Sequence, residues 1–142
     1  MLKEKTNQKG FTLIELLVVI AIIGILSSIV LVSLNVARGK GADAKIKTQL
    51  TSAKDAAEIF HNSEESYNGI AGSVASDCTT ADSMFQDVDS GMIQYTDATN
   101  NYPTNTTIRC SSTNAEYAIS ASLQTAGEFW CVDSTGASQL VT

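Results

Sequence analysis

The hydrophobic pattern of this chain changes character twice. Residues 11–34 are apolar at 18 of 24 positions, and residues 16–34 form 19 consecutive positions without a charge. At about 1.5 Å per residue, a helix of that length spans roughly 28 Å, close to the ~30 Å hydrocarbon core of a bilayer. The stretch Leu16-Leu17-Val18-Val19-Ile20-Ala21-Ile22-Ile23-Gly24-Ile25-Leu26 is apolar all round. A helix on the surface of a soluble domain would show a stripe instead, and a strand would stop near ten residues. The pattern predicts a membrane-inserted helix.

Beyond residue 35 the pattern becomes amphipathic. Ile46, Leu50, Ala53, Ala57 and Phe60 recur at intervals of 4, 3, 4 and 3, while Lys45, Lys47, Lys54, Asp55 and Glu58 occupy the other face. One helix is therefore expected from about residue 11 to about residue 62, with Gly39 and Gly41 able to soften it where it leaves the membrane. Residues 61–72 are polar, and Asn68-Gly69 signals a turn. Met84, Phe85, Val88, Met92 and Tyr95 suit a short second helix over 80–96, with Gly91 counting against it. Strands are expected at 106–110, 116–123, 128–132 and 139–141. Tyr117, Ile119, Ala121 and Leu123 alternate onto one face. In the returning strand, Phe129 and Cys131 are read as sharing the inward face, and residues 124–127 as the hairpin loop. The expected class is α+β: a long N-terminal helix packed on a small antiparallel sheet of 3–4 strands.

Composition sharpens this division. The mean hydropathy of +0.05 averages an apolar segment and a polar remainder. Residues 1–60 carry eight bases and five acids, whereas residues 61–142 carry one base, Arg109, and ten acids. Phosphate binding needs clustered Lys and Arg, so this balance argues against a nucleic-acid groove in the distal part. Lys and Arg flank the apolar run on both sides, so charge bias does not settle its orientation.

A cleaved secretory signal would also begin with a basic stretch, here Lys3, Lys5 and Lys9. The apolar run is too long for one, no convincing small-x-small cleavage site follows it, and Glu15 lies five residues into the apolar segment. A carboxylate there costs on the order of 2.5–3.5 kcal/mol at the centre of a membrane helix and needs a reason.

The residues Lys9-Gly10-Phe11-Thr12-Leu13-Ile14-Glu15, continuing through Leu26, supply that reason: they resemble the N-terminal signature of type IV pilins and pseudopilins. The resemblance covers about 18 residues. It implies a pilin fold, with residues 1–10 a cleaved leader, 11–34 the transmembrane and filament-core helix, 35–62 its amphipathic continuation, and 63–142 a globular head with an αβ-loop and a C-terminal sheet. It implies cleavage by prepilin peptidase between Gly10 and Phe11, methylation of the Phe11 amine, and a role for Glu15 in assembly. The ammonium of a neighbouring subunit's Phe11 would be a suitable partner for that carboxylate. Many family members carry a proline near the position of Val32, and this chain has none before Pro103. Gly24 is then the candidate for local melting of the helix, and with Ser28 it also forms a small-xxx-small pair.

Three cysteines occur, Cys78, Cys110 and Cys131, with no CxxC and one histidine, His61. A zinc site is not indicated. An extracytoplasmic head implies one disulfide, worth roughly 2–4 kcal/mol, and one leftover thiol. All three pairings are open, and three buried free thiols are the alternative. Asp87-Val88-Asp89-Ser90-Gly91 resembles only part of a calcium loop. No nucleophilic triad or phosphate loop is recognisable, so neither an enzyme nor a cofactor is expected.

The expectation is a structural subunit of a type IV pilus-like filament. It would sit in the inner membrane as a single-pass prepilin and then appear at the cell surface. Its partners would be copies of itself, the prepilin peptidase, the assembly platform with its ATPase, and membrane lipid, with no direct nucleic acid. The alternatives are a pseudopilin of a type II secretion system, a minor or competence (DNA-uptake) pilin, and a membrane-anchored adhesion domain that never polymerises.

Overall fold

A computed structural model describes residues 10–68, 77–125 and 127–142. The leader lysines, Gly69 of the expected turn and Ala126 of the expected hairpin loop lie outside the described residues. The chain divides into two compact units, Met1–Ala37 and Arg38–Thr142. The element order is α1 (Leu13–Glu64), a 3-10 turn (Met84–Gln86), α2 (Ile93–Thr96), α3 (Ala98–Asn101), β1 (Ile108–Ser112), β2 (Tyr117–Ser122), β3 (Phe129–Asp133) and β4 (Ser138–Val141).

Helix α1 runs for 52 residues. It stays helical through Gly24, Gly39 and Gly41, although each glycine costs about 1 kcal/mol relative to alanine. The helix ends where Glu65 turns to φ 54°, a left-handed residue that stops helical propagation, with its N–H donating to the His61 carbonyl at 2.8 Å.

In the second unit the expected stripe is the packed one. Ile46, Leu50, Ala53, Ala57 and Phe60 are all buried, and Ala56 joins them. They meet Met84, Phe85 and Met92 from the connecting segment and Ile119, Ala121 and Val132 from the sheet, in one hydrophobic cluster. The four strands pair in sequence order, β1-β2-β3-β4, all antiparallel. Tyr117, Ile119, Ala121 and Leu123 are buried, as the alternation predicts. The β3–β4 turn is held by Asp133, whose Oδ1 accepts from Thr135 N–H at 2.9 Å, Thr135 Oγ1 at 2.6 Å and Ala137 N–H at 3.2 Å. Gly136 supplies the φ of +82° that this turn needs.

Two local expectations are corrected. Residues 80–96 are not one helix. Asp87 turns its carboxylate to Ser90 N–H at 2.6 Å and Gly91 takes φ +75°, which leaves a 3-10 turn and the four-residue α2. A side chain that serves the local backbone competes with helical hydrogen bonding. The second correction is the face of Cys131. It pairs with Ser120, whereas Trp130 and Val132 pair with the inward Ala121 and Ile119. Cys131 therefore faces away from the core.

The segment after α1 is tied to the turn between β1 and β2. Tyr67 N–H donates to the Asn114 carbonyl at 3.2 Å, and Asn68 Nδ2 donates to Asn114 Oδ1 at 2.8 Å. Ser112 Oγ donates to Asn68 Oδ1 at 3.3 Å, in a place where both residues are buried. Tyr67 stacks between His61 and Tyr117, with centroid separations of 4.4 and 4.9 Å, and its hydroxyl donates to Glu58 at 2.9 Å. At the other end of the sheet, Lys47 places its ammonium 4.7 Å above the Trp130 ring.

Cys78 and Cys110 form a disulfide, and Cys131 is free. The bridge closes a sequence separation of 32 residues, which corresponds to roughly 3–4 kcal/mol of lost unfolded-state entropy.

Candidate functional site

The candidate site is the start of α1 and the apolar segment that follows. Thr12 precedes the first helical residue, and Glu15 stands three positions later. Thr12 N–H donates to Glu15 Oε2 at 2.8 Å, and Thr12 Oγ1 donates to the same oxygen at 2.7 Å. In return, Glu15 N–H donates to Thr12 Oγ1 at 3.3 Å. This reciprocal arrangement is a capping box, which satisfies N–H groups that a helix start leaves without carbonyl partners. Thr12-x-x-Glu15 before an apolar run is its sequence signature. Glu15 Oε1 accepts no hydrogen bond among the described residues, so one carboxylate oxygen stays open to an outside donor.

Phe11 is 81% exposed, immediately before the cap. A Cβ built at Gly10 would meet nothing within 4 Å, so no packing among the described residues demands glycine there. The same holds for Gly24. Around Gly24 the helix is continuous, and Ser28 Oγ donates to the Ile25 carbonyl at 2.7 Å, keeping its hydroxyl satisfied within the helix.

Every large apolar side chain from Phe11 to Val36 is exposed, from 42% at Leu34 to 81% at Phe11 and Leu13. Eighteen such side chains leave on the order of 30 kcal/mol of hydrophobic burial unrealised, at 1.5–3 kcal/mol each. Soluble monomers rarely leave so large an apolar surface uncovered. Helix α1 is long and apolar enough to cross a membrane.

The remaining sequence candidates are quieter. Among the described residues no group of three or more His, Cys, Asp or Glu side chains is arranged to hold a metal ion. The Asp87 carboxylate serves its own turn. Burial, aided by the nearby Asp133 carboxylate, raises the Cys131 thiol above its ordinary pKa, so it is not an activated nucleophile. Burial likewise raises the phenols of Tyr102 and Tyr117.

Two comparisons bear on the site. Residues 5–31 match the model of the prokaryotic N-terminal methylation motif. Over 61 residues the chain is 43% identical to the type IV wide pilus major component PilA4 of Thermus thermophilus. That alignment covers 43% of this chain and 47% of the relative, so it spans about half the relative's length.

Proposed function

We propose, from the premise that this chain carries the N-terminal segment of the type IV pilin family, that it is a structural subunit of a pilus-like filament. The observation that carries the reading is the apolar segment from Phe11 to Val36, whose large side chains are exposed all round, while farther along the same helix one stripe from Ile46 to Phe60 is buried. Before assembly, lipid of the inner membrane covers that segment. After assembly, equivalent helices of other subunits cover it. The contact is heterologous, so it propagates instead of closing. Extraction from the membrane requires work from an assembly platform and its ATPase.

Processing falls to prepilin peptidase. Hydrolysis of the Gly10–Phe11 bond releases residues 1–10 and leaves an amine on Phe11, one residue before the Thr12 cap. A methyl donor then supplies the methyl group on that amine. The Thr12–Glu15 capping box holds the carboxylate at the helix start with Oε1 open. A neighbour's Phe11 ammonium can approach that oxygen without first breaking the cap. In an apolar surrounding, this pairing neutralises a charge that would otherwise oppose burial, and so favours one axial register.

Two measurements test the reading. Mass spectrometry of the mature chain should find an N-terminus at methylated Phe11. A start near residue 38 would return the segment to a secretory signal. Glu15→Ala should leave the subunit in the membrane and remove filaments from sheared surface material seen by electron microscopy. Filaments of normal length from that variant would sink the proposed role of Glu15.

A further inference from the structure

The bases of the second unit's helix divide by what they touch. Lys47 lies over Trp130, and Lys54 donates to the Gly136 carbonyl. Arg38, Lys40 and Lys45, nearer the apolar segment, are exposed and have no partner among the described residues. The one acid in their midst, Asp43, is spent inside the chain, accepting the Gln124 N–H at 2.7 Å. The collar therefore keeps its positive charge.

The far end of the same helix has the opposite sign. Asp82, Asp87 and Asp89 line a shallow groove of about 260 Å³ with Phe60, and Glu64 and Glu65 are exposed just beyond it. Among the described residues no Lys or Arg lies within ion-pairing distance of these carboxylates. From Lys40 to Glu64 is 24 residues of α1, about 36 Å along the axis. The unit is thus positive near its first helical turns and negative near the end of α1, with neither charge neutralised internally.

We infer that the Arg38–Lys40–Lys45 collar docks the acidic end of a second copy of this chain, stacked head to tail along α1. The inference rests on the filament reading and adds to it a second, polar contact away from the apolar segment. Charge complementarity selects this occupant: the chain supplies both halves, and a contact of unlike ends propagates in one direction. Like ends repel, which disfavours the reversed stacking. Because the groups are solvent-exposed, the attraction is screened by salt over a Debye length of about 10 Å at 0.1 M.

The test is charge reversal in the full chain, with filaments sheared from cells and the processed subunit quantified in the membrane. Lys40→Glu with Lys45→Glu, or Asp89→Lys with Glu64→Lys, should each lower filament yield about tenfold while the processed subunit stays at its normal level. Combining the two pairs should restore yield to within about threefold of the unaltered chain. All four positions are exposed and lie at negative φ, so folding is not at risk. Unchanged yield from either pair, or no rescue on combining them, overturns the inference. A fall in membrane-held subunit from the lysine pair alone, with the acidic pair silent, also overturns it and assigns the collar to anionic lipid headgroups. Absence of filaments from the unaltered chain overturns the filament reading itself, and this inference with it. Filaments that ignore every reversal overturn only the latter.

Discussion

The segments 13–34 and 46–60 belong to one helix and have the same backbone geometry, yet they meet opposite fates. In the first, every large side chain is exposed; in the second, Ile46, Leu50 and Phe60 are buried against the sheet and the connecting segment. The difference lies in how apolar residues are distributed around the axis. A stripe bounded by lysines can be satisfied by one small domain. A cylinder that is apolar on all sides can be satisfied only by a medium, either lipid or a bundle of like helices. Helix formation is thus common to both segments, while the partner each requires is written in its periodicity.

The largest test of this contrast is a pair of truncations. Leu50→Ala should destabilise the second unit by about 2–5 kcal/mol in denaturant melts of the full chain in detergent micelles, because the site is fully buried. Ile22→Ala in the same assay should cost less than about 0.5 kcal/mol, because its side chain is exposed on the helix surface. Equal losses would mean that the first segment packs on the second unit. Next in size, Cys110→Ser should remove roughly 3 kcal/mol, read as a lower denaturation midpoint. The Cys131→Ser variant, which leaves the Cys78–Cys110 bridge intact, should keep the midpoint close to that of the unaltered chain. A smaller effect is expected at the cap. Thr12→Ala removes one half of the capping box and should cost about 1 kcal/mol, read as roughly fivefold faster amide exchange at Glu15. Unchanged exchange would show that the micelle alone orders the helix start.

The smallest effect is a pH dependence confined to the second unit. Hydrogen bonds from Thr79, Asn100 and Thr135 lower the pKa values of Asp77, Asp97 and Asp133 respectively. A carboxylate with a lowered folded-state pKa contributes its stability above the unfolded value of about 3.9 and loses it as pH falls through the lower folded value. Melts of the second unit should therefore be flat from neutral pH to about pH 5 and decline below pH 4. Asp133→Asn should flatten part of that acid limb. An acid limb identical to that of the unaltered chain would remove Asp133 from the account.

Much of this was legible in the residues. The packed stripe and the buried face of β2 followed from spacing alone, because in each case apolar positions recur with one period and polar ones fill the gaps. The face of β3 did not follow. Phe129-Trp130-Cys131-Val132 is apolar on both faces, so a period of two has no preferred phase, and only pairing with Ile119 and Ala121 decides it. The disulfide was similarly underdetermined, since Cys78 reaches Cys110 only through folding of the connecting segment. At the candidate site, Glu15 stood out by its charge, while Thr12 did not, although the spacing of the two encodes the cap. The break before α2 was signalled by Gly91 alone; the Asp87–Ser90 contact that completes it is a matter of side-chain geometry.

The position of Trp130 gives the molecule an optical label of its own. It is the single tryptophan of the chain, partly buried against the core, with the Lys47 ammonium above its ring and a buried indole N–H that has no hydrogen-bond partner among the described residues. Intrinsic fluorescence therefore samples the seam between α1 and the sheet. Undocking of the sheet from α1 would wet the indole and move its emission to longer wavelength. A single emission trace thus reports the packing of the second unit directly.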